Sequence, residues 1–232
     1  MAHGYGSEGI QGVSGRGQRQ GRARLDPHLA LAYLGQWISQ QTANPQTLAQ
    51  AVVAAQRVLT LNPASPPGHV VLGSVYLWQK QYEPAMAEME QAITVAPDVA
   101  GGYACLAETL SRVGRAGEAR AMVEEALRRK PLLPDGHLGC IGTAYYLAGK
   151  TEEAIAPLKQ YLSGYPNMPD VHLTLAAVYS ELGKEPEARA EVAEVLRLNP
   201  QFSLAVHKQR MPIKDPAVLE RHLAALRKAG LK

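Results

Sequence analysis

Five prolines, Pro63, Pro97, Pro131, Pro166 and Pro200, are separated by 34, 34, 35 and 34 residues, and a period of that size marks a stack of equal structural units. Each closes a similar phrase: Leu61-Asn62-Pro63, Val95-Ala96-Pro97, Arg129-Lys130-Pro131, Gly164-Tyr165-Pro166 and Leu198-Asn199-Pro200. The fixed ring torsion and the missing N–H of proline stop a helix at such a place.

Inside the period, a large-small pair is followed by a large residue at helical spacing: Leu34-Gly35 with Ile38, Leu72-Gly73 with Tyr76, Leu106-Ala107 with Leu110, Ile141-Gly142 with Tyr145, Leu175-Ala176 with Tyr179. A second apolar stripe follows, opened by Ala85, Ala119, Ala154 and Ala188 in repeats two to five. Between the stripes lie Val113-Gly114-Arg115, Ala148-Gly149-Lys150 and Leu182-Gly183-Lys184, whose glycines suit the left-handed turn that closes a helix. The unit is a helix-turn-helix. Aromatic residues make up only 6% of the chain, with a single Phe, which together with abundant Ala, Leu, Glu, Arg and Gln excludes an all-β fold.

A 34-residue helical hairpin with large-Gly-x-x-Tyr, a small residue opening its second helix and a closing Pro resembles the tetratricopeptide (TPR) repeat. The resemblance covers about residues 27–200. It implies an all-α fold, a right-handed α-solenoid of about five TPR hairpins, with repeats near 28–65, 66–99, 100–134, 135–168 and 169–202 in a solenoid spanning 25–210. Gly35, Gly73, Ala107, Gly142 and Ala176 are expected to allow close approach of the two helices, so that a bulky replacement wedges the hairpin. In the first repeat Ile38 and Ala51 stand thirteen residues apart, so the segment Gln41–Pro45 is read as a bulging insertion at the turn.

Beyond Pro200, Phe202, Leu204, Ala205 and Val206 begin an apolar helix that Pro212 interrupts. Asp215-Pro216 is a favourable helix opening, Leu219, Leu223 and Leu226 form a stripe, Arg227 and Lys228 suit the helix C-terminus, and Gly230 closes it. Residues 211–232 therefore read as a capping helix, which a solenoid needs to cover its last repeat. Three phrases, Tyr76–Tyr82, Tyr179–Lys184 and Lys214–Arg221 with Leu226–Leu231, resemble the C-terminal TPR portion of bacterial adenylate/guanylate cyclase-like proteins. That resemblance implies a regulatory or assembly role in nucleotide-cyclase signalling, without any catalytic domain in this chain.

The formal charge of +3 sits at the N-terminus: residues 1–24 carry Arg16, Arg19, Arg22 and Arg24 against Glu8, and the remaining 20 basic and 20 acidic residues cancel. The folded part offers no basic field to a phosphate backbone, so nucleic acid is disfavoured as a partner. Seven glycines in the first 24 residues mark a disordered Gly/Arg-rich tail. No stretch approaches the roughly 18 apolar residues of a membrane span, and no compact apolar run of a signal peptide precedes the repeats. Two cysteines, Cys105 and Cys140, give neither a disulfide framework nor a C-x-x-C pair, and a cytoplasmic location is expected.

Chemistry-like motifs reduce to structure. Gly4-Tyr5-Gly6-Ser7-Glu8-Gly9 formally matches G-x-G-x-x-G, but a dinucleotide turn requires a strand before it and a helix after it. Gly149-Lys150-Thr151 resembles the end of a phosphate-binding loop, yet Ala144 replaces the required glycine and the repeat accounts for all three residues as an interhelical turn. Seven scattered histidines form no i, i+4 metal pair, and His69 and His172, at equivalent places in their repeats, read as packing residues. No catalytic residue, metal or cofactor is assigned.

The TPR resemblance implies that the first helices line a concave face. There the expected partner-binding residues are Gln36, Gln40, Ser74, Trp78, Glu108, Arg112, Thr143, Tyr146, Ala177 and Glu181. The reading is a non-enzymatic protein-protein interaction scaffold that takes a peptide or protein partner in this groove, with self-association as a further option. Trp78 is the expected anchor, whose truncation weakens partner binding without unfolding the chain. A Lys/Asn/Arg clamp for C-terminal carboxylates has no counterpart, because Gln36, Ser74 and Glu108 occupy the corresponding places.

Overall fold

The computed structural model describes residues 27–129 and 135–232. The tail motif at residues 4–9, the Arg16–Arg24 cluster and Pro131 lie outside them. Among the described residues there are twelve α-helices and no strand: α1 (Pro27–Ile38), α2 (Gln46–Leu61), α3 (Pro66–Trp78), α4 (Tyr82–Val95), α5 (Ala100–Arg112), α6 (Ala116–Arg129), α7 (Asp135–Leu147), α8 (Thr151–Gly164), α9 (Pro169–Glu181), α10 (Glu185–Leu198), α11 (Leu204–Arg210) and α12 (Pro216–Ala229). Consecutive helices pair as five antiparallel hairpins, α1 with α2 through α9 with α10, and neighbouring hairpins stack.

The periodic prolines mark the hairpin ends. Asn62, Ala96, Tyr165 and Asn199, each just before its proline, leave the helical region with φ between −133° and −146°, as the residue before proline must. Ser65 opens α3 by accepting a hydrogen bond from the Gly68 amide, with Pro66 in the first turn. The tight turns within hairpins use left-handed residues: Gly114, Gly149 and Gly183 have φ of 86°, 78° and 71°. The equivalent places in the first two repeats are Gln40 and Lys80, with φ of 57° and 61°.

The expected close approach holds in two hairpins and fails in a third. A Cβ on Gly142 would fall 2.6 Å from Leu158 Cδ2, and one on Gly73 would fall 3.0 Å from the Ala85 carbonyl oxygen. A Cβ on Gly35 would meet nothing within 4 Å.

After α10 the chain turns back across the ends of the first helices. Ser203 caps the short α11, accepting from the Val206 amide, and Asp215 caps α12, accepting from the Ala217 amide. Gly230 ends α12 with φ 110°. α12 packs against α9. One apolar cluster runs from Leu34, Val75 and Trp78 in the first two repeats through Tyr146 and Leu175 to Phe202, Leu204, Met211, Ile213, Leu223 and Leu226. The C-terminal residues are therefore part of the solenoid's core and join its first repeats to its last.

Candidate partner groove and the segment that fills it

Trp78, Arg112 and Glu181 are the last residues of α3, α5 and α9, and Tyr146 is the last but one of α7. These four residues thus stand at the C-terminal ends of the first helices, where backbone carbonyls lack intrahelical partners. Glu108 holds Arg112 by accepting from its Nε and Nη2 at 3.0 and 2.7 Å, and the Arg112 guanidinium lies 5.6 Å from the centre of the Trp78 ring. Tyr146 donates to Glu181 at 3.2 Å, and Arg221 Nε lies 3.4 Å from the same carboxylate.

Trp78, Arg112 and Tyr146 do not face an open groove, whereas Glu181 is exposed. Trp78 is 8% exposed, Arg112 5% and Tyr146 1%, because residues 199–232 lie over them. Arg112 Nη1 donates to the Met211 sulfur at 3.1 Å, and the Lys214 amide donates to the Arg112 carbonyl at 2.9 Å. The truncation of Trp78 expected to spare the fold would instead open a cavity in the core, at a cost of about 3–5 kcal/mol. Thr143 and Ala177 are buried, Gln36 is half-buried, and Ser74 donates to the Val70 carbonyl of its own helix at 2.9 Å.

The covering segment uses one chemistry repeatedly. Arg210 donates to the Trp37 and Thr42 carbonyls at 2.6 and 3.0 Å. Arg221 donates to the Tyr146 carbonyl at 2.9 Å, and Lys228 to the Ser180 carbonyl at 3.3 Å. With the Lys214 amide on Arg112, donors from the segment thus reach the C-terminal ends of α1, α5, α7 and α9. Three of them are cations, the charge that a helix C-terminus favours. Gln40 completes the closure, donating to the Ser203 carbonyl and accepting from the Ser203 amide, each at 3.0 Å.

Beneath the segment, His207 Nε2 lies 3.1 Å from His222 Nε2, and His222 Nδ1 lies 3.2 Å from the Tyr146 hydroxyl. Burial and the nearby Arg112 push His207 down to about 3. Burial, His207, Arg112 and Arg221 push His222 well below its ordinary value. Both rings are neutral near pH 7.

His69 and His172 are packing residues, as their equivalent places imply. His69 Nδ1 lies 2.7 Å from Glu88 Oε2 and its Nε2 2.9 Å from the Pro63 carbonyl. His172 repeats the arrangement with Glu191 at 2.6 Å and Pro166 at 2.9 Å. Gly149-Lys150-Thr151 is the turn from α7 into α8. Sequence reasoning missed the closing role of Arg210, Met211 and Lys214, for which the only signal was the apolar run broken by Pro212.

The architecture is an α-solenoid of tetratricopeptide hairpins closed by its own C-terminal helices. Two stretches match tetratricopeptide-repeat family models, residues 67–99 and 145–208. The fold is similar to a thermophilic TPR protein of Thermus thermophilus, at 24% identity and a TM-score of 0.55 over 82% of this chain and 96% of that one. It is also similar to PilW, described as a widely conserved type IV pilus biogenesis factor, at 19% identity and a TM-score of 0.52 over 86% and 89% of the two chains. No curated protein matches the chain. No described helix is long and apolar enough to cross a membrane.

Proposed function

We propose that the chain is a non-enzymatic scaffold that binds a protein or peptide partner along the concave ends of its first helices, and that residues 203–214 occupy this surface until the partner displaces them. TPR proteins are generally protein-interaction scaffolds. The observation that carries the reading is the seat of the chain's own peptide at Arg112, where a backbone amide, a thioether and an adjoining indole are all engaged. Rigid hairpins hold those groups in place, so an incoming peptide loses most of the conformational entropy and the receptor little.

The segment lowers apparent affinity by the fraction of molecules in which it has lifted away. The test is binding of a labelled peptide with the sequence of residues 205–216 to the full chain and to its Ile213→Asp variant. Ile213 is 7% exposed within the segment, so the charge weakens the segment's seat while every residue of the first helices keeps its identity. The variant is expected to bind at least about tenfold more tightly. Equal weak binding by two folded proteins would make residues 203–214 a permanent part of the core and move partner binding to another face.

A further inference from the structure

Cys105 and Cys140 stand one repeat apart, at equivalent places on α5 and α7, and their sulfurs lie 3.2 Å from one another. Cys105 is buried and Cys140 partly exposed. They are the chain's only cysteines, and neither serves the partner surface described above. Of the stacked first helices, α5 and α7 pack against each other most extensively, and this pair of positions carries the thiols.

We propose that Cys105 and Cys140 form an oxidation site at which a hydroperoxide produces an intramolecular disulfide tying α5 to α7. The Cys105 thiolate attacks the peroxide O–O bond, giving a sulfenic acid and releasing hydroxide from hydrogen peroxide, or alkoxide from an organic peroxide. The Cys140 sulfur then attacks the Cys105 sulfur, forming the S–S bond and expelling the sulfenic oxygen, which leaves as water with the Cys140 proton. Two thiols are oxidised by two electrons and one peroxide is reduced.

The roles follow from the surroundings. A hydrogen bond from Cys140 holds the Cys105 thiol below the usual range against the effect of burial, and His137 adds to the lowering. Cys140 is raised well above it, first by sharing that hydrogen bond and then by burial, so it remains the protonated partner. A low thiol beside a resolving thiol is the arrangement that favours a disulfide over deeper oxidation. The sulfurs, 3.2 Å apart, have little more than an ångström to close to reach the about 2.0 Å of an S–S bond. Glu108 lies one turn beyond Cys105 on α5 and its charge acts on both thiols.

The experiment is intact-mass spectrometry and thiol titration of the full chain after treatment with hydrogen peroxide. The expected product is a monomer about 2 Da lighter with no titratable thiol, restored by dithiothreitol. Cys140→Ser is expected to accumulate a sulfenic acid on Cys105 that dimedone traps, and Cys105→Ser to slow oxidation of the remaining thiol at least about tenfold. Two surviving thiols, a disulfide between two chains, or sulfinic acid as the first product of the unaltered chain would each overturn the proposal. The unaltered chain decides the matter even where a serine variant fails to fold.

Discussion

The Arg210 guanidinium lies 3.9 Å from the centre of the Trp37 ring, joining the last residue of α11 to the helix that opens the first repeat. It also bridges two carbonyls, Trp37 and Thr42, so stacking and hydrogen bonding act through one planar group. Arg210→Ala is expected to cost about 1–3 kcal/mol of stability and to speed amide exchange across residues 203–214. Arg210→Lys is expected to recover little, because an ammonium cannot stack and bridge at once. Denaturant unfolding of the three proteins checks this, and equal stability of the Lys variant and the parent would show that the planar group is dispensable.

Both hairpin turns that place a side chain in the left-handed region send that side chain to the closing segment. Lys80 donates to the Gln209 carbonyl at 2.9 Å from an exposed position, whereas Gln40 makes two half-buried bonds to Ser203. A non-glycine left-handed residue costs about 1 kcal/mol, and each hydrogen bond contributes about 0.5–1.5 kcal/mol. Lys80→Gly is thus expected to be neutral or stabilising by up to about 1 kcal/mol, and Gln40→Gly to destabilise by a similar amount. Thermal melts of both variants read the two signs, and a gain at both sites would mean that the Ser203 bonds contribute nothing.

Glycines at the same repeat position differ in what they permit. Gly142→Ala drives a methyl into Leu158 and is expected to cost about 1–3 kcal/mol as overpacking. Gly35→Ala enters open space within α1 and is expected to gain about 0.5–1 kcal/mol from helix propensity. Melting curves for the two single variants test this, and similar losses in both would restore the uniform wedge that the repeat pattern implies.

That contrast shows what a periodic sequence makes legible. Prolines and left-handed glycines act locally, so Pro63, Pro97, Pro166 and Pro200 and the turns at Gly114, Gly149 and Gly183 could be located from spacing alone. The surface positions Trp78, Arg112 and Tyr146 were also legible as the ends of first helices. Their burial was not, because it depends on residues more than 60 positions away returning past them, which no local pattern encodes. The equivalence of Cys105 and Cys140, one repeat apart on first helices, was legible, but their contact depends on how closely α5 and α7 pack.

Acid is expected to loosen the closing segment. In the unfolded chain His207 and His222 titrate near 6.5, whereas in the fold His207 is pushed down to about 3 and His222 well below its ordinary value. Between those limits the unfolded state binds more protons, so stability is full above about pH 6.5 and falls as pH drops toward 3, by at most about 1.4 kcal/mol per pH unit for each ring. His172 works in the opposite sense: burial disfavours its charge, but Glu191 and the Pro166 carbonyl outweigh burial and hold its pKa above the ordinary value. Its contribution is present below pH 6.5 and is lost as pH rises through the raised value. Replacing both closing rings, His207→Phe with His222→Leu, removes their protonation sites, and the double variant is expected to keep its stability between pH 6.5 and 4 better than the parent does. Unfolding free energies measured across that range give the answer, and parallel pH profiles for parent and variant would show that the buried pair does not control the acid response.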